Sequence, residues 1–116
     1  MLEESILTSI KKLLGIVEDY TIFDTDIIIH INSAFTRLKQ LGVGPSEGFR
    51  IIDKSETWDE FVDDEDYLDS VKTYIYLKVK IIFDPPLNAS VMEAYKQEIK
   101  ELEWNLNVDG DTNIEA

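Results

Sequence analysis

The sequence predicts a mainly α-helical domain: a small bundle of about four to five helices, a long glycine-containing loop and at most a short extended segment. Three observations predict it. Ile27, Ile31, Ala34, Leu38 and Leu41 recur at spacings of 4, 3, 4 and 3, and Val91, Tyr95, Ile99, Leu102 and Leu106 at 4, 4, 3 and 4, the signature of one apolar helix face. A third is the corner Asp84-Pro85-Pro86, where proline disfavours helix in the residue before it and then stiffens the turn. Such a corner delivers one long element into another, packed antiparallel.

In chain order, Glu4 to Leu14 carries Ile6, Ile10 and Leu13 on one helical stripe. Lys11 and Lys12 lie near its C-terminal end, and Gly15 serves as a stop. The second helix is expected over Asp24–Leu41, with Asp24 as N-cap and Gly42 in the left-handed C-cap position. "GVGPSEG" (residues 42–48) cannot hold a regular element, and "FRII" after it reads as a short extended piece. Thr57 caps a brief turn, "WDEFV", and the acids Asp63 to Asp66 suit the positive end of a helix starting near Tyr67.

The segment "VKTYIYLKVKIIF" (residues 71–83) reads two ways. With period two, Ile75, Leu77, Val79, Ile81 and Phe83 alternate with Tyr74, Tyr76, Lys78 and Lys80, and β propensity is high. With period 3.6, Leu68, Val71, Ile75, Lys78 and Ile82 make a stripe. Local pattern slightly favours a strand. Against it stand the acidic cap upstream and the want of a partner strand other than "FRII", since a lone hairpin is marginal. The last helix is expected over Ser90–Leu106, opened by a Ser90/Glu93 capping box. Residues 1–108 read as one domain, and residues 109–116, "DGDTNIEA", as a flexible tail.

The chain has 116 residues, 24 acids and 11 bases, a net charge of −13. That sign excludes a grip on nucleic-acid phosphates, but suits a surface past which DNA slides or a decoy that mimics DNA. The charge is uneven: Asp53 to Asp69 holds nine acids against Lys54 alone, a net −8. With no cysteine, disulfides and thiolate metal sites are excluded. No run of eighteen apolar residues occurs to span a membrane. The acidic start "MLEES" has the wrong order for a signal peptide.

Chemistry-bearing motifs are few. His30 with Asp26 has ligand spacing, but one histidine and one carboxylate make a weak site, and a structural histidine is the stronger reading. "DGDTN" (residues 109–113) begins like a calcium loop, yet Ile114 occupies the required glycine position. Asn88-Ala89-Ser90 matches a glycosylation sequon but reads as a helix cap. The carboxylates of Asp59–Asp69 lack the contrasting environments of an acid/base pair and look like a solvated face. No catalytic residue, cofactor or metal site is predicted. Aromatic residues crowd the second half, and Trp58, Phe61, Tyr67, Tyr76, Tyr95 and Trp104 are candidate protein-interface anchors, of the type enriched at interfaces.

"LGVGPSEGF", "TWDEF", "VKTYIYLKVKIIFDPP" and "IKELEWNLNV" resemble the head–tail connector (adaptor) proteins of tailed phages and prophages, over most of the chain. The resemblance implies a helix at residues 71–83. It further implies a structural subunit of the virion neck, assembled in the bacterial host cytoplasm. Such subunits form a homo-oligomeric ring of about twelve beneath the portal protein. The ring extends the DNA channel, receives a neck or tail-completion protein, and lets DNA pass without specific binding. Asp63, Asp64, Glu65 and Asp66 then become candidate channel or seam acids. At a seam they repel their like unless opposed by Arg37, Lys39 or Arg50 of the next subunit. The alternative is an acidic DNA mimic that blocks a nucleic-acid-binding protein; a metal-dependent hydrolase using the carboxylate run is a distant third.

Overall fold

The computed structural model describes residues 2–115, with side chains up to residue 107. Among the described residues four α-helices form, α1 (Ile6–Leu13), α2 (Asp24–Gln40), α3 (Glu65–Phe83) and α4 (Ala89–Glu115), with one 3₁₀ turn at Trp58–Glu60. Among the described residues no strand forms, so "FRII" is irregular backbone. The extended contact lies elsewhere. Residues 2–6 run antiparallel to residues 56–59, where the Ile6 N–H donates to Glu56 O at 3.0 Å and the Asp59 N–H to Leu2 O at 2.8 Å.

Local chemistry sets the helix ends. The Ser5 hydroxyl accepts from the Thr8 N–H at 3.2 Å and caps α1. At the end of α2, Gly42 adopts φ +81°. Its N–H donates to Lys39 O at 3.0 Å and that of Val43 to Leu38 O at 2.9 Å, the paired closure that a left-handed glycine permits. Asp64 caps α3 by accepting from the Asp66 N–H at 2.9 Å.

Two expected caps are corrected. Asn88, not Ser90, caps α4: its Oδ1 accepts from the Ser90 and Val91 N–H groups at 2.8 and 3.2 Å. Asp24 is the first residue of α2 rather than its cap, because its carboxylate is engaged by Lys11 at 2.9 Å. The backbone of α4 also stays helical to Glu115, past Leu106 where the apolar spacing ends.

The period-two reading of residues 71–83 is overturned, in favour of the helix that the family resemblance implies. α3 packs against α1, α2 and α4 and buries Leu68, Val71, Tyr74, Ile75, Leu77 and Val79. A helix surrounded on several sides carries apolar residues around most of its circumference, and its period is blurred. Around it the core gathers Ile6 and Ile10 from α1, Ile27, Ile31, Phe35 and Leu38 from α2, and Ile99, Leu102 and Leu106 from α4.

The long connection between α2 and α3 is held down at two points. The Asn32 amide donates to Ile51 O at 2.9 Å and accepts from the Ile51 N–H at 2.7 Å, completing both backbone bonds of a buried residue. Nearby, Phe35, Phe49 and Phe61 stack with centroids 4.7 to 5.4 Å apart. Gly44 lies so close to the Phe61 ring that a β-carbon there would collide with it.

Candidate functional site

The aromatic candidates separate by burial. Trp58 is 0% exposed and Phe61 is buried too, so neither is an interface anchor of the folded chain, and both are corrected to core residues. The 3₁₀ turn aims Trp58 inward, where its Nε1–H donates to Ser9 Oγ at 3.1 Å and Lys72 Nζ sits 5.7 Å from the ring centroid. Tyr67, Tyr76 and Tyr95 are half-buried. Trp104 is 69% exposed, on the outer face of α4 beside Gln97, Lys100, Glu101 and Asn105.

Asp63, Asp64, Glu65 and Asp66 are all exposed. Asp63 and Asp64 precede α3, and Glu65 and Asp66 form its first turn, where negative charge meets the positive end of the helix. Asp64 therefore has a structural duty as the cap, while Asp63, Glu65 and Asp66 leave their carboxylates to solvent.

Arg37, a candidate seam cation, is used within the chain. Its Nη2 and Nε donate to Glu103 Oε1 and Oε2 at 3.2 and 3.4 Å, and the Tyr74 hydroxyl donates to Glu103 Oε2 at 2.7 Å. This cluster ties α2, α3 and α4 together, and sequence reasoning missed it because its members lie up to 66 residues apart. Burial alone would raise the Glu103 carboxyl, but the hydrogen bonds from Arg37 and Tyr74 outweigh it and hold it below its ordinary value. Burial, and then the Glu103 carboxylate, push the Tyr74 phenol up.

A group whose folded pKa is depressed adds stability above its unfolded value and loses it as the pH falls through the folded one. The Glu103 contribution is therefore complete above about pH 4.5, the ordinary value, and declines below it. At pH 7, Glu103→Gln is expected to cost roughly 1 kcal/mol, since Arg37 remains partly exposed. Urea midpoints taken between pH 7 and pH 3 should show the gap to wild type closing as the pH falls. A gap that holds at pH 3 would reject the ionic account.

His30 is half-buried and Asp26 exposed. Among the described residues no group of three or more His, Cys, Asp or Glu side chains is placed to hold a metal ion. Asn88 spends its side-chain oxygen on the α4 cap. The "DGDTN" side chains lie outside the described residues. No described helix is long and apolar enough to cross a membrane.

The remaining feature is a groove of about 570 Å³ between α2 and the loop before the 3₁₀ turn. Ile29 and Thr36 form one wall, Phe49 the other, and Lys39, Glu47 and Arg50 the charged rim.

Comparison with known families gives one result: the family model described as phage connector protein matches residues 6–113, nearly the whole chain. No curated protein and no solved structure gives a significant match. A match of that extent, on an all-helical chain, bears out the resemblance read from the sequence blocks. The chain belongs to the phage connector protein family.

Proposed function

We propose that the chain is a head–tail connector (adaptor) subunit of a tailed phage or prophage. Copies stand side by side in a ring beneath the portal, extend its DNA channel, and offer a platform to the neck or tail-completion protein. The observation that carries this reading is the family match over residues 6–113. Charge supports it. Lys11, Arg37, Lys72, Lys80 and Lys96 each pair with an acid of the same chain, and acids in excess of the bases, Asp63 to Asp66 among them, are exposed. A negative conduit lets packaged DNA pass without binding it. Of the six aromatic residues singled out in the sequence, Trp104, Tyr95, Tyr76 and Tyr67 have surface left to give to neighbours.

Native mass spectrometry at several protein concentrations, read beside negative-stain images with and without portal protein, tests the proposal. Closed rings, alone or templated by portal, are the expected result. A protein that stays monomeric under all these conditions would overturn the ring and favour the acidic DNA mimic, which needs no assembly.

A further inference from the structure

On the proposed ring reading, each subunit presents two different faces to its two neighbours, and complementary patches must meet across every seam. We propose that the groove between α2 and the Glu47–Arg50 loop is the receiving face, and that it takes the acidic segment Asp63–Asp69 of a second copy of this chain.

The groove is built before anything enters it. The Asn32 amide fixes the loop at Ile51 through two hydrogen bonds of 2.9 and 2.7 Å. The Phe49 ring is seated on Phe35 and Phe61 at 5.1 and 5.4 Å. Lys39 is held at the rim, because its stem lies over Gly48, where an added β-carbon would stand 3.1 Å from Lys39 Cδ. Ile29 is 56% exposed on the wall, an apolar surface beside two cations.

Charge selects the occupant. Among the described residues neither Lys39 nor Arg50 has an ion-pair partner, whereas the other cation that could have served a seam, Arg37, is taken by Glu103. Two unpaired cations against the single acid Glu47 make this rim positive on a chain of net −13. Asp63, Asp64, Glu65, Asp66 and Asp69 are exposed and have no base among them, and none of them lines the groove of its own subunit. Exposed ion pairs are individually weak, so the contact gains strength by repetition around a closed ring and weakens as salt rises.

The first test mixes isotope-labelled and unlabelled full-length chains and treats them with a zero-length carbodiimide crosslinker. Lys39 should join an acid of residues 63–69 across differently labelled copies. Links from Lys39 only to other segments, or only to added portal protein, would overturn the assignment.

The second test uses two variants, K39E/R50E and D63K/E65K/D69K, which keep the Asp64 cap. Each alone should lose at least tenfold in association by light scattering, while their equimolar mixture should assemble with the two chains alternating. Rescue by mixing also shows that both variants are folded. Wild-type rings with variants that assemble unchanged, or a mixture no better than its components, would overturn this seam and leave the ring reading standing. A wild-type chain that neither assembles nor crosslinks between copies would overturn both.

Discussion

Trp58→Ala is expected to remove about 3–5 kcal/mol of folding free energy, the range for emptying a buried tryptophan site. Trp104→Ala should stay within about 0.5 kcal/mol, as surface substitutions do. The contrast follows from exposures of 0% and 69%. Trp58 closes the bundle where the N-terminal segment pairs with residues 56–59, and its loss takes from Ser9 Oγ the bond it accepts from Nε1 at 3.1 Å, leaving the hydroxyl only its bonds to Ser5 O and Glu4 Oε2. A small domain holds only about 5–15 kcal/mol in total, so the variant should lie near the edge of folding at 37 °C. Urea melts of both variants measure the difference. Trp58→Phe, which keeps much of the ring volume but not the donor, should fall between. Equal melts for Trp58→Ala and Trp104→Ala would contradict the core assignment. Fluorescence offers a second check: the emission of the Trp104→Ala protein, which comes from Trp58 alone, should be blue-shifted and should move to the red on unfolding.

What can be read from the sequence is decided by range. The spacings of α2 and α4 and the stop of α2 at Gly42 are written within a few residues, because both helices are one-sided and α2 ends at a local cap. α3 reads as strand-like on local pattern, since Tyr74, Leu77 and Val79 are buried on different sides of an inner helix. Asn88 and Ser90 both suit a cap, and only the backbone path decides that Asn88 takes it. Trp58 and Trp104 look alike as letters; the pairing of residues 2–6 with 56–59 makes one of them core. The groove depends on Asn32 reaching Ile51, 19 residues on, and the Arg37–Glu103 pair spans 66. No local pattern encodes either contact. The family resemblance, by contrast, is carried by ordered blocks spread along the chain, and for that reason it identifies the family where composition alone does not separate connector from decoy.

Lys11→Met is expected to cost about 3 kcal/mol, although methionine matches the lysine stem in length and apolarity. Lys11 is 2% exposed. Its ammonium donates to Glu18 O at 2.9 Å and Tyr20 O at 2.8 Å and forms an ion pair with Asp24 Oδ1 at 2.9 Å. Methionine would leave two carbonyls and a carboxylate to find water or go without, at about 1–3 kcal/mol for each group left buried. Asp24 retains a quarter of its exposure and can be rehydrated, which keeps the total near the lower end. Asp24→Asn should cost less, because the carbonyls still hold the ammonium. The double variant should cost less than the two single losses added together, since each removes the same pair. Strict additivity in urea melts would show that Lys11 and Asp24 act separately. The lysine also fixes the loop between α1 and α2, whose Phe23 meets Phe83 of α3 at 5.3 Å edge to face. Hydrogen exchange in Lys11→Met should therefore speed up first in residues 14–23, ahead of the α2 and α3 cores. Uniform exchange across the chain would instead mean that Lys11 holds the whole bundle rather than one loop.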